Sequence, residues 1–267
     1  MTVKPAEATF ERTILVNGDV DLDVATHCGV IRVAGGEPGV VRVRGILRGR
    51  RSLFGLGDTR GRIAEMAANP PIEQQGSSIR VGDLHDRWLL RGVTMLLEIV
   101  VPHATRVRAL ADAGDVRVQG IAGPVRAEAD SGSIEMADIN GDVRASADSG
   151  SIRIHRVRGS VDANADSGSV EALDIGGPIT AATDSGDIRL SQSAPAPVAA
   201  EADSGSISLR LAPDAGYNVR IHTDSGHVRT PPMAVQGRSS GNETEGQIRG
   251  GGPLVRLDTD SGSIEIL

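Results

Sequence analysis

Three consecutive stretches of the chain, aligned by their glycines, decide its architecture. Residues 123–140 read GPVRAEADSGSIEMADIN, residues 141–158 read GDVRASADSGSIRIHRVR and residues 159–176 read GSVDANADSGSVEALDIG. Asp-Ser-Gly recurs every 18 residues within them, and the triplet returns at Asp184, Asp203, Asp224 and Asp260. A repeat of fixed length is typical of proteins in which each unit stacks on its neighbour.

A shorter period lies inside the 18-residue repeat. Glycine occurs every nine residues from Gly114 to Gly186, and apolar residues alternate with polar ones between the glycines. Alternation with a period of two indicates a β-strand that buries one face. Each repeat therefore predicts two strands, which together form one coil of a β-solenoid.

The buried positions differ in size between the two strands of a coil. Small residues occupy one strand and larger residues occupy the other, so two thin walls can pack closely without aromatic side chains. This agrees with an aromatic content of only 1%. The small set is Ala127, Ala129, Ala145, Ala147, Ala163 and Ala165, and the large set is Ile134, Met136, Ile139, Ile152, Ile154 and Val157.

Outward positions support the same register. Three residues after alternate glycines, the side chains are Glu135, Arg153, Glu171 and Arg189. Coils stack about 4.8 Å apart, so charges of opposite sign become neighbours. Such cross-strand pairs contribute about 0.2–1 kcal/mol each.

The predicted fold class is all-β: a single-stranded β-solenoid, similar to a β-helix, with 18-residue coils and a small N-terminal cap that contains one short helix. Residues 1–110 form the cap and irregular early coils, with a helix over Thr59–Ala68 that Asn69-Pro70-Pro71 ends. Residues 111–267 form the regular solenoid as one continuous structural unit. Insertions are expected at residues 191–200 and 231–252, and residues 254–267 are expected to close the stack.

Composition limits the classes of function. The net charge is −7 and the pI is about 5.4, which argues against nucleic acid as the main partner. Cys28 is the single cysteine, so an internal disulfide framework is excluded. We expect no transmembrane segment, and the N-terminus as written lacks the apolar region of a signal peptide, which favours the cytoplasm.

The repeat resembles a known family. The tandem Ala-Asp-Ser-Gly-Ser-Ile units, the segment from Asn69 to Gln74 followed by Ser78-Ile79-Arg80-Val81, and the closing segment from Thr259 to Ile264 are similar to the bacterial DUF4097 family. Its members are built of β-strand repeats and are often labelled as candidate adhesins. The resemblance implies a β-solenoid, a location in the cell envelope or at the surface, and no catalytic residues.

The aspartates of the repeat are the first candidate site. Unit charges about 5 Å apart repel by roughly 1 kcal/mol in water, so a column of them needs an offset. Each carboxylate can accept the amide hydrogens of its own turn, or the column can hold Ca²⁺ with regularly spaced oxygen ligands. We favour the turn interpretation. The metal candidates in this column are Asp130, Asp148, Asp166, Asp184 and Asp203.

Histidines and serines give two weaker candidates. His222, Asp224 and His227 lie close together in sequence and suggest a metal site, although a pair of surface histidines explains them equally simply. The other histidines, His27, His85, His103 and His155, are isolated in sequence. Asp-Ser-Gly surrounds some catalytic serines, but seven copies at structural spacing argue against a nucleophile, which needs a single base and oxyanion hole.

An arginine-rich segment is the candidate for partner binding. Seven arginines fall between Arg42 and Arg62, and the apolar residues 53–56 lie in its middle. This pattern predicts a loop with an apolar tip that suits an anionic, membrane or protein partner. The candidate residues are Arg48, Arg50, Arg51 and Phe54.

Three functions from different classes remain open. The favoured one is a non-enzymatic, adhesin-like solenoid scaffold, without cofactor, whose flat faces bind an unidentified protein or cell-surface partner. The alternatives are a polymer that self-associates through the sheet edges at the solenoid ends, or a Ca²⁺-binding repeat protein. An enzyme of the polysaccharide-cleaving β-helix type is disfavoured, because no unrepeated carboxylate group stands out.

Overall fold

The computed structural model describes residues 6–49, 59–82, 92–230 and 235–267. They form two compact units, Met1–Gly132 and Ser133–Leu267. The expected boundary between residues 110 and 111 stays a prediction. Each unit contains two sheets, called sheet A and sheet B, and the chain crosses from one to the other within every coil.

The N-terminal unit consists of nine strands and the one described helix. The elements are β1 (Glu7–Leu15), β2 (Asp21–Gly36), β3 (Val40–Gly49), α1 (Thr59–Ala68), β4 (Ile72–Gln75), β5 (Ser78–Val81), β6 (Val93–Pro102), β7 (Arg106–Ala113), β8 (Val116–Gln119) and β9 (Val125–Ser131). The predicted helix is confirmed at both ends. It packs against β1 and β3, where Ile63 lies within reach of Gly49 and is 1% exposed.

Strand β2 corrects the prediction of two short strands over residues 20–24 and 30–33. It is one strand of 16 residues that bends from sheet B into sheet A. Its first half pairs with β5 on one side and β7 on the other, and its second half pairs with β6 and β8. The coil nearest the start of the chain is therefore inserted between two later coils.

The C-terminal unit consists of fifteen strands among its described residues. They are β10 (Ile134–Ile139), β11 (Val143–Ser149), β12 (Ile152–Val157), β13 (Val161–Ser167), β14 (Val170–Ile175), β15 (Ile179–Ser185), β16 (Ile188–Gln192), β17 (Val198–Ser204), β18 (Ile207–Arg210), β19 (Tyr217–Ser225), β20 (Val228–Arg229), β21 (Val235–Ser239), β22 (Glu243–Ile248), β23 (Leu254–Ser261) and β24 (Ile264–Ile266).

The first coils of this unit stack in chain order with the predicted period. Ile134 pairs with Ile152 in sheet A and Val143 pairs with Val161 in sheet B, each in parallel and 18 residues apart. The predicted solenoid with 18-residue coils is confirmed. The insertion after Ser191 shifts the register once, between β14 and β16, and the coil path then continues into β17.

The final coil does not close the stack, contrary to the prediction. β23 pairs with β17 on one side and β19 on the other, and β24 lies between β18 and β20. Residues 254–267 are thus an interior coil. The hairpin of β21 and β22 pairs antiparallel with β19 and covers the outer edge of sheet B.

The core has the predicted division into a small wall and a large wall. Ala145, Ala163 and Ala181 are at most 2% exposed, and Ile152 and Ile154 opposite them are fully buried. The small wall widens toward the hairpin, where Leu257 and Ile221 occupy the position that alanine fills in earlier coils. Tyr217 is fully buried there, and burial raises the pKa of its hydroxyl.

Candidate interaction surface

The Asp-Ser-Gly triplets form one corner of each coil. Ser149, Ser167 and Ser185 are in register, as are Ser204, Ser261 and Ser225 around the inserted coil. The aspartate before each serine is exposed, including Asp130 in the N-terminal unit. The column of carboxylates predicted from the sequence is therefore present on the surface of each unit.

The expected offset for this column is not found within the described parts of the chain. The side chains of Asp130, Asp148, Asp166, Asp184 and Asp203 make no hydrogen bond or ion pair there, so the turn interpretation was wrong about the carboxylate.

Other acceptors connect neighbouring coils instead. Asp142 accepts hydrogen bonds from the amide and hydroxyl of Ser160, both at 2.8 Å, and Asp187 accepts one from the Ser206 amide at 3.0 Å. The two bonds from Ser160 hold the pKa of Asp142 below its usual value.

The glycine of the triplet is required by close packing between coils. A Cβ atom at Gly168 would lie 2.1 Å from the carbonyl oxygen of Gly150, and one at Gly262 would lie 2.0 Å from that of Gly205. No side chain fits these gaps. The glycine spacing visible in the sequence therefore marks the corners where backbones of adjacent coils come into contact.

Three rows of side chains cover the outer face of sheet A in the C-terminal unit. The charged row predicted from the sequence is in register, with Glu135 beside Arg153, Arg153 beside Glu171, and Glu171 beside Arg189. The second row places Ala137 beside His155 and His155 beside Leu173. His155 is not isolated, because its Nε2 lies 3.4 Å from a carboxylate oxygen of Glu171.

The third row was missed by the sequence reasoning. Asp138, Arg156 and Asp174 have φ values of 58°, 56° and 59°, a left-handed conformation that is uncommon for residues other than glycine. Arg156 donates to both carboxylate oxygens of Asp138, at 2.6 and 2.9 Å, which lowers the pKa of that carboxyl. Their 18-residue spacing, each directly before a buried Ile or Val, was the available signal.

Together these rows give sheet A a banded surface. One coil presents the acidic pair Glu135 and Asp138, the next the basic pair Arg153 and Arg156, and the next the acidic Glu171 with Asp174. Acidic and basic bands thus alternate from coil to coil. We name this the banded face.

The histidine cluster is only partly assembled. His222 Nε2 lies 2.9 Å from an oxygen of Asp224, whereas no side-chain contact joins His227 to this pair in the described structure. Three or more His, Cys, Asp or Glu side chains do not come together anywhere in the described ranges in a way that suits a metal ion. Metal binding by these residues or by the Asp column stays a prediction.

The arginine-rich segment is divided between elements. Arg42, Arg44 and Arg48 lie on β3 and not in a loop, and Arg48 pairs with Glu7 at 2.9 Å. Arg50, Arg51 and Phe54 fall outside the described residues. A partner site at these positions stays a prediction.

Two further histidines have partners that sequence spacing did not reveal. His27 Nδ1 lies 2.6 Å from Asp112, because β2 is inserted beside β7, and His103 Nδ1 contacts the carbonyl oxygen of Gly120. His85 is outside the described residues. The description of His27 and His103 as isolated was therefore wrong.

No helix in the part of the chain that the structure describes is long and apolar enough to cross a membrane.

Comparison with known proteins places the fold. A crystal structure of a candidate adhesin from Bacteroides fragilis is similar over 100% of both chains, with 14% identity and a TM-score of 0.56. A candidate cell adhesion protein from Clostridium sporogenes aligns over 98% of this chain and 99% of its own, at 12% identity and a TM-score of 0.28. No curated protein matches the chain. The family model described as Toastrack DUF4097 matches residues 95–267, well over half of the sequence, and the chain therefore belongs to the DUF4097 family.

Proposed function

We propose that this protein is a non-enzymatic scaffold of the cell envelope or surface, and that the banded face binds a protein or surface partner. The observation that carries the proposal is the alternation of acidic and basic bands across an unbroken parallel sheet. Such a face recognises a partner through charge complementarity at a fixed spacing, about 9.6 Å for two coils.

The division of labour within each strand supports this function. Inward residues such as Ile152 and Ile154 are fully buried and form the core, so only outward residues are available to a partner. On the banded face these are charged, and the ion pair of Asp138 and Arg156 leaves each side chain more than half exposed. Exposed ion pairs contribute little to stability, so the pattern is not explained by folding alone.

The proteins with similar structures are consistent with this proposal. Both bear names that refer to adhesion, and a solenoid offers long faces in place of a concave catalytic site. An envelope or surface location follows from the same reasoning and forms part of the proposal.

The test compares two faces of one protein. Purified protein is incubated with intact bacterial cells and with isolated cell envelopes, and the retained fraction is measured. An Arg153→Gln/Arg156→Gln variant removes the basic band, whereas an Arg144→Gln/Arg220→Gln control removes two arginines from the opposite sheet, each in an exposed ion pair. We expect the first variant to lose retention and the control to keep it, with similar melting temperatures.

Equal retention of both variants would rule out the banded face. Turnover of a polysaccharide by the purified protein would contradict the non-enzymatic assignment.

A further inference from the structure

The inserted coil, residues 254–267, occupies a slot between two coils that precede it in the chain. One side of the slot is formed by β17 and β18, and the other by β19 and β20. These two sides are connected by residues 211–216 and do not pair with each other through the described strands. The slot is therefore a binding site for an extended segment of 14 residues.

Backbone hydrogen bonds hold the segment on both sides. The amides of Gly205 and Ile207 donate to the carbonyl oxygens of Ser261 and Ser263, at 2.9 and 3.0 Å. On the other side, the amides of Gly262 and Ile264 donate to the carbonyl oxygens of Ser225 and His227, both at 3.0 Å.

Side chains of the segment complete the core. Val255, Leu257 and Ile264 are fully buried, and Thr259 and Ile266 are each 3% exposed. The Thr259 hydroxyl donates to the carbonyl oxygen of Gly205 at 2.9 Å, and the Thr223 hydroxyl donates to that of Gly262 at 3.0 Å. The segment thus contributes an apolar strand that both sides of the slot require.

A short glycine-rich hinge tethers the segment to the rest of the unit. Residues 249–253 read RGGGP and pass around the start of β19, where Gly252 accepts a hydrogen bond from the Asn218 side chain at 2.6 Å. Arg249, Gly250 and Gly251 have φ values of 48°, 84° and 86°. Gly250 has open space around it, so its glycine serves the conformation of the hinge and not packing.

We propose that a second copy of this chain can fill the slot, so that two molecules exchange residues 254–267 and form a dimer. In the exchanged pair every contact of the segment recurs, and only the hinge changes conformation. Exchange of identical elements costs little because the lost and gained contacts are the same. This requires only residues 198–267 and holds whatever the banded face binds.

Cross-linking between chains tests the exchange. In a Cys28→Ser background, a Ser204→Cys chain and a Ser261→Cys chain are unfolded together in urea, refolded and oxidised. These serines are directly in register across the slot, so a disulfide between the two chains reports exchange. We expect a yield several-fold above that of the control mixture of Ser149→Cys and Ser167→Cys chains, which are in register between coils stacked in chain order.

A hinge variant gives an independent measurement on the full chain. Proline cannot adopt the positive φ of Gly250, and it disfavours the conformation of Arg249, so Gly250→Pro should open the hinge. We expect a higher dimer fraction by light scattering at equal protein concentration.

Two results would overturn the proposal. One is a cross-linking yield for the 204/261 mixture no higher than that of the control. The other is a folded Gly250→Pro variant that remains monomeric. Should the proline variant fail to fold, the cross-linking comparison decides alone.

Discussion

The coils over residues 134–210 and the coil over residues 254–267 have the same repeat but different positions in the stack. The first stack in the order of the sequence, each on the one before. The last is inserted between residues 198–210 and residues 217–229. Strand β2 of the N-terminal unit is likewise inserted between later coils. The repeat therefore specifies the shape of a coil and not its place.

The reason lies in what one coil presents to the next. Adjacent coils are joined by backbone hydrogen bonds and by glycine corners, which are alike throughout the stack. A coil can accordingly pair with many others, and the connections and the antiparallel strands at the ends select the order.

The largest expected effect is at the glycine corners. Gly168→Ala and Gly262→Ala should each destabilise the protein by about 3 kcal/mol, because the new Cβ would collide with a carbonyl oxygen of the adjacent coil. Urea unfolding measures the change, and Gly241→Ala, which has open space, is the control. A mild effect at Gly262 alone would show that the inserted coil packs less closely than the regular coils.

The next effect tests whether the inserted coil is truly interior. Leu257 is fully buried beside Ala200 and Ile221, so Leu257→Ala should cost about 2–5 kcal/mol in the free energy of unfolding. Leu254→Ala, at a residue 48% exposed in the same strand, should have little effect. Hydrogen exchange of residues 255–261 as slow as that of residues 161–167 would agree, whereas fast exchange would place the coil at an open edge.

Buried threonines give a smaller and more direct comparison. Thr183 in the regular coils and Thr259 in the inserted coil each donate a hydrogen bond to a glycine carbonyl oxygen one coil away, at 2.9 Å. Alanine fills this position in other coils, as at Ala165 and Ala202, so Thr→Ala should cost only about 1 kcal/mol at either site. The exposed Thr180→Ala is the control. Unequal losses at the two sites in thermal unfolding would contradict equivalent packing.

Acid should weaken one contact between coils. Because the pKa of Asp142 is lowered in the folded protein, its contribution is present above the unfolded value of 3.8 and is lost as the pH falls below it. Asp142→Ala should lower the melting temperature at pH 7 and have a smaller effect near pH 3. Asp166→Ala, whose carboxylate has no bonded partner in the described structure, should show no such difference between the two pH values.

Calcium should have the smallest effect. Ca²⁺ takes six to eight oxygen ligands, whereas each coil adds one aspartate to the column. We expect the same melting temperature in millimolar Ca²⁺ and in EDTA. A higher one in Ca²⁺ would identify the column as a cation site, because a ligand of the folded state alone must stabilise it.

Sequence reasoning found those features of the candidate surface that depend on spacing. The row from Glu135 to Arg189 and the Asp column were predicted because both follow the 18-residue period. The left-handed row of Asp138, Arg156 and Asp174 was missed, since these residue types do not signal a positive φ. The pairing of His27 with Asp112 was missed because it depends on a coil inserted out of order.

The sequence alone determined the coil: its length, its two walls of different size, its glycine corners and its α1 cap. These are local or periodic properties, and side-chain size and alternation encode them directly. The tertiary structure alone decided the order of stacking, the slot for residues 254–267, and the antiparallel strands that end the sheets. Pairing between coils uses backbone groups that every residue carries, so no side-chain pattern distinguishes one neighbour from another.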